Sequence, residues 1–184
     1  MYRHLIILVI TVMTGGMTVR SQPAKVLAPN GPGNDAHWPS AAKNGFGTAN
    51  TLRSKVWFTL ADGVLTEVYY PTVDVPNVER LQLIIVDGTY VQTEVEDTIH
   101  QTEIVDWRSL SFRQVNTARN GNYKITKTYV ADPRRNTILI DIRFESRSAV
   151  SVYVYYDPSL NNSGMHDSAW TAGDALLATD QHKA

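Results

Sequence analysis

Three pairs ending in glycine, Asp62-Gly63, Asp87-Gly88 and Asn120-Gly121, stand between runs in which apolar and polar residues alternate. Aspartate, asparagine and glycine tolerate the positive φ of a tight hairpin turn, so each pair predicts a chain reversal between antiparallel strands. "SKVWFTL" meets "VLTEVYY" across the first pair, and "LQLIIV" meets "TYVQTEV" around the second. "SLSFRQV" and "NYKITKTYV" flank the third. Two more runs alternate: "TILIDIRF" puts Ile138, Ile140, Ile142 and Phe144 on one face, and "VSVYVYY" does the same for Val150, Val152, Val154 and Tyr156. No later stretch keeps a helical period, and "SAAKNGFGTA" is broken by glycine. The expectation is an all-β domain: a sandwich of two antiparallel sheets, with a closed barrel as its rival.

The first residues read differently. Arg3 and His4 give a short basic start, an apolar run extends from Leu5 to Met13, and the small residues Val19 and Ser21 precede Gln22. This is the pattern of a secretory signal peptide over 1–21, and its apolar run is shorter than the about 20 residues that cross a bilayer. Residues 22–39, "QPAKVLAPNGPGNDAHWP", read as an extended lead-in, and 40–184 as one domain. A chain of 184 residues with net charge -1 has room for one core and no field that draws nucleic acid. It has no cysteine, hence no disulfide and no lipidated cysteine. At the far end "GDALLATDQHKA" begins an apolar run from Ala175 to Ala178 that soon stops, which reads as an uncovered sheet edge and as the front part of something longer.

Candidate chemistry is thin. His100, Glu103 and Asp106 recur every third residue, but their apolar neighbours suggest a strand, on which they alternate faces; no metal is expected. There is no serine in a Gly-x-Ser-x-Gly turn. Glycoside cleavage needs two carboxyl groups, one to give a proton and one to activate water or attack. Glu67, Asp74, Glu94, Glu96 and Asp97 are available, yet most look like a solvated face. "DPSLNNSGMHDSAW" is the least strand-like stretch, rich in groups that bond sugar hydroxyls, Asn161, Asn162, His166 and Asp167, and ends at Trp170, whose ring suits a pyranose face. The plainer reading is a polar loop satisfying its own turns. Asn161-Asn162-Ser163 also fits a glycosylation sequon.

The ordered series "GFGTA", "KVWFTL", "LTEVYYP" and "LQLIIVDG", continued by "YVADPRRNTILIDIRF" and "YYDPSLNNSGMHDSAW", resembles the N-terminal domain of prokaryotic glucoamylases and glucodextranases. The resemblance implies a large antiparallel sandwich of the galactose-mutarotase-like supersandwich type, incomplete here at its C-terminal edge. It also implies a following (α/α)6 catalytic barrel, in secreted enzymes that release glucose from α-glucans or dextrans with inversion. The acid and base glutamates belong to that barrel, so no catalytic residue and no cofactor is expected in this chain. In "GVLTEVYYP", Tyr70 would then pack inside the sandwich, while Glu67 and Tyr69 would face the barrel; alternatively both tyrosines serve the sandwich or its rim. Three functions follow as expectations. One is a non-catalytic domain that positions a catalytic partner. Another is a free-standing carbohydrate-binding module using Trp107, Trp170, Tyr69 and the asparagine-rich loop on α-glucan oligosaccharides. The last, by fold analogy alone, is a mutarotase-like epimerase needing His166 and Asp167 together.

Overall fold

The computed structural model describes residues 6–11, 26–27 and 37–181. Strands β1 (Ile6–Thr11) and β2 (Val26–Leu27) precede β3 (Gly45–Thr48), β4 (Trp57–Ala61) and β5 (Val64–Tyr69). Then come β6 (Pro76–Asp87), β7 (Tyr90–Thr93), a single helical turn α1 (Glu94–Asp97), and β8 (Thr98–Asp106). They are followed by β9 (Ser111–Ala118), β10 (Tyr123–Ala131), β11 (Thr137–Ser146) and β12 (Ser151–Pro158). A 3-10 turn (Leu160–Asn162), β13 (Asp167–Ala172) and β14 (Ala175–Asp180) close the described chain. Every strand pairing is antiparallel.

One sheet runs β1-β11-β10-β9-β8, another β12-β6-β5-β4-β3 with β7 also on β6, and a small one β14-β13-β2. The two large sheets share one core. Phe58 of β4 meets Phe112 of β9 edge-on, centroids 6.3 Å apart, and stacks on Tyr129 of β10 at 6.1 Å. Ile138, Ile140 and Ile142 lie in that core, and Val150, Val152, Val154 and Tyr156 pack against it, as their alternation predicts. The hairpin turns are as expected: Asp62 and Gly63 both have positive φ, as do Gly88 and Gly121. A Cβ at Gly47 would run into the Phe58 ring, which explains glycine in that strand.

Three expectations are corrected. "TYVQTEV" does not continue as a strand, because Thr93 accepts the Glu96 N–H and caps the single turn α1. Glu94 is not on a solvated face. It lies in the core, where Lys127 Nζ approaches its Oε1 to 2.6 Å, the two side chains being 0% and 1% exposed. Around that pair Asn116 Nδ2 donates to Glu94 Oε1 (2.6 Å), the Leu83 amide to Glu94 Oε2 (2.6 Å), and Lys127 to the carbonyl of Gly63 (2.8 Å). Burial pulls the Lys127 ammonium below its ordinary pKa, against the pull of Glu94.

The third concerns β5. Phe58 pairs with Val68 and Leu60 with Leu65, so β5 carries one residue more than β4 between these contacts. Leu65 and Val68 both enter the core, while Thr66 and Glu67 both turn to Thr59: Thr66 Oγ1 lies 2.7 Å from Thr59 Oγ1, which also bonds Glu67. This bulge breaks the strict alternation that would set Leu65 on the same face as Glu67. Tyr70 lies half-buried beyond the end of β5, outside the core cluster.

Of the N-terminal expectations, only parts of 1–39 fall in the described residues. Ile6–Thr11 pairs with β11 in register from Ile6↔Ile142 to Thr11↔Thr137. Val26–Leu27 pairs with Thr171 and Trp170 of β13, and His37 to Pro39 have no regular structure. Residues 1–5, 12–25 and 28–36 lie outside the described residues.

Candidate functional site

The best-organised polar surface lies where β5 ends, on the side of its sheet away from the core. Lys43 reaches both carboxylate oxygens of Glu67, Oε1 at 2.9 Å and Oε2 at 2.8 Å. Burial alone would raise the Glu67 pKa, but the hydrogen bonds from Lys43 and Thr59 and the lysine charge bring it below the ordinary glutamate value. A carboxylate so held stays ionised and spends both oxygens on its own fold, which disqualifies it as a general acid. Tyr69 lies on the same side, and burial, then the Glu67 charge, raises its hydroxyl pKa.

A second group lies on β6 and β12. The amide of His37 donates to Glu79 Oε2 (3.1 Å), and the Tyr155 hydroxyl to Asp157 Oδ2 (2.7 Å). Burial pushes the Glu79 carboxyl up, with a further push from Asp157 and opposition from the His37 amide. Burial and the bond to Asp157 push Tyr155 up to about 12.

Asn77 ties this end together. Its Nδ2 donates to the carbonyls of Tyr70 (2.8 Å) and Val75 (2.9 Å), closing the turn after β5, in which the Tyr70–Pro71 peptide is cis. Its Oδ1 accepts the Asn161 amide (3.2 Å), and its carbonyl the Ser159 amide (3.1 Å). One buried asparagine thus joins the Tyr69-Tyr70 corner to the asparagine-rich loop, 84 residues apart at Asn161. The loop is braced again from its other end, where the Leu160 amide donates to Asp167 Oδ2 (2.7 Å) and Asn161 Nδ2 to Asp180 Oδ2 (2.8 Å). Asp167 is only 4% exposed and stands directly across from Asp180. Burial, with Asp180 adding and the Leu160 amide opposing, pushes its carboxyl up to about 6.

The structure therefore ties the turn that follows Tyr69 to Asn161 through Asn77, and the Asn161 loop to Asp167 through the Leu160 amide, while Glu67 is held by Lys43 and Thr59 and the other candidates go elsewhere. Asn162 and His166 are exposed on the loop, Asn162 with φ 63 and His166 with its carbonyl accepting the Gln181 amide. Trp170 is a strand residue of β13, paired with Leu177 and Leu27 in the small sheet. Trp107 stands apart, in the β8–β9 turn, 71% exposed with the Arg108 guanidinium 5.5 Å from its ring centre. His100, Glu103 and Asp106 all lie on β8, Glu103 paired to Arg113, and no group of three or more His, Cys, Asp or Glu among the described residues is placed to hold a metal. Sequence reading missed Lys43, Asn77 and Tyr155. For Tyr155 the signal was present: the parity that sends Val154 and Tyr156 inward sends it outward.

Fold and site define a class: an antiparallel β-sandwich domain whose best-placed carboxylates hold its own strands together. The chain belongs to the family described as glucodextranase, domain N, which matches residues 28–184. It is 41% identical over 150 residues to a glucoamylase of Clostridium sp. (strain G0005), a match covering 79% of this chain and 21% of that protein. A crystal structure of a bacterial glucoamylase complexed with acarbose superposes with a TM-score of 0.77 at 35% identity, over 94% of this chain and 25% of that one. The chain thus spans about a fifth to a quarter of the length of these relatives.

Proposed function

We propose that this chain is a non-catalytic, exported β-sandwich domain that supports and positions a glucoamylase- or glucodextranase-like catalytic domain in α-glucan or dextran breakdown. The observation that carries the reading is coverage: nearly the whole chain aligns with only a quarter of a bacterial glucoamylase. The occupied state of Glu67 agrees with it, since that carboxylate is bound at both oxygens by the domain itself. The leader at 1–21 would route the domain out of the cytoplasm, where such polymers are degraded.

The test pairs the purified chain with the clostridial glucoamylase lacking its matching portion. Co-elution and a gain in that fragment's heat stability and glucose release are expected. Absence of association, or glucose released from starch by this chain unaided, refutes the proposal.

Trp107 favours a second reading, a carbohydrate-binding module, because an aromatic ring this exposed beside an arginine suits stacking on a sugar. Titration calorimetry with maltooligosaccharides and isomaltooligosaccharides at millimolar sugar decides: heat that vanishes in Trp107→Ala supports it, and a flat trace removes it.

A further inference from the structure

The outer edge of β11 accepts a strand. β1 lies along it antiparallel through six consecutive partners, from Ile6↔Ile142 to Thr11↔Thr137. That strand falls inside residues 1–21, which the sequence marks as a leader, so export would strip the edge of its cover. An uncovered edge of alternating apolar residues is a template for another chain. The core would survive the loss, since every residue of its buried cluster lies at Val56 or beyond.

We propose that, once residues 1–21 are gone, the β11 edge pairs antiparallel with the same edge of a second copy of this chain, about a two-fold axis at Ile142. The choice of register follows from β11 itself. Centred on Ile142, the inward row sets Ile140 against Phe144 of the second copy and Ile142 against its own equivalent. On the outward row, exposed Asp141 faces exposed Arg143 of the other copy, and the symmetry repeats the contact. Arg143 already bonds Glu145 through Nη2 at 2.9 Å, and a guanidinium has donors left for a second carboxylate. Centring on Asp141 would set two aspartates face to face, and centring on Ile140 would set Leu139 against Asp141. The Ile142 register also sets Leu139 against Glu145, but of these three it alone joins an apolar inward row to an Asp141–Arg143 pair on each side of the axis.

This rests on leader removal, so the two are tested apart: the mass of the exported chain reads cleavage, and a chain begun at Gln22 is made directly for the rest. In sedimentation equilibrium the chain begun at Gln22 is expected to dimerise and the 184-residue chain to remain monomeric. Arg143→Asp and Asp141→Arg, both at exposed positions, each place like charges opposite one another and should weaken the dimer about tenfold. The double swap restores opposite charges and should recover it. Near-ultraviolet circular dichroism checks that each variant is folded. A monomeric shorter chain, a full-length chain that dimerises as strongly, or a dimer indifferent to the swaps overturns the proposal.

Discussion

Replacing Lys127 by methionine isolates the charge in the sandwich interior. The ammonium touches Glu94 Oε1 at 2.6 Å and the Gly63 carbonyl at 2.8 Å, with both side chains of the ion pair out of water. Methionine fills nearly the same volume but strips the buried Glu94 of its counter-charge, with only the Leu83 amide and Asn116 Nδ2 as donors. Breaking a buried pair from one side costs about 3–5 kcal/mol, a large part of the about 5–15 kcal/mol that holds a domain folded. For a domain of this size that lowers Tm by about 6–20 °C. Removing both charges, in Lys127→Met with Glu94→Gln, should cost less than the sum of the two single changes, because neither charge is then stranded. Urea unfolding followed by tryptophan fluorescence gives all four stabilities. A Lys127→Met loss under about 1 kcal/mol, or strict additivity in the cycle, would refute the claim that pairing makes these charges tolerable in the core.

Three more outcomes are expected. Gly47→Ala drives a methyl into the Phe58 ring and should lower stability by about 1–3 kcal/mol in the same urea assay, with Phe58→Leu restoring part of it. Asn77→Ala unties the carbonyls of Tyr70 and Val75 and the amide of Asn161 together, so limited proteolysis should cut the Leu160–His166 segment sooner, at a global cost of about 1–3 kcal/mol. Asp167 holds its proton to about pH 6 when folded against an ordinary value of 3.8, so the folded state binds the extra proton between these values. Its contribution to stability is complete below about pH 4 and is lost as pH rises through about 6; Asp167→Asn should flatten that part of the Tm-against-pH curve, and an unchanged slope would count against it.

The strands of this fold were legible because alternation and turn chemistry are local. Asp62-Gly63 fixes a hairpin within a few residues, and the inward row from Ile138 to Ile142 needs no knowledge of what it packs on. The bulge at Thr66-Glu67 was not legible, since an extra residue in β5 has meaning only against β4. The core pair was half legible: Lys127 sits at an inward position between Ile125 and Tyr129, but Glu94 comes from a turn with no local link to it. The same distinction governs the site. Glu67 and Tyr69 do share the face away from the core, as the strand period has it, whereas Lys43 and Asn77 are bound to their partners by tertiary contact alone. Trp170 was read with the loop because it closes a stretch crowded with Asn161, Asn162, His166 and Asp167; pairing with β14 and β2 makes it a strand residue. For α1, Thr93 and Glu96 form the cap signal, but four residues are too few to show a helical period.

The extra residue of β5 also has a history to be read. Were it deleted, Leu65 and Val68 would still fall beside Leu60 and Phe58, so packing would tolerate the shorter hairpin; what would vanish is one of the two oxygen contacts at Thr59 and, with it, the placement that lets a lysine clasp Glu67. Hairpin length and basic charge at position 43 should therefore be inherited together, and descendants that shorten the one are expected to have discarded the other.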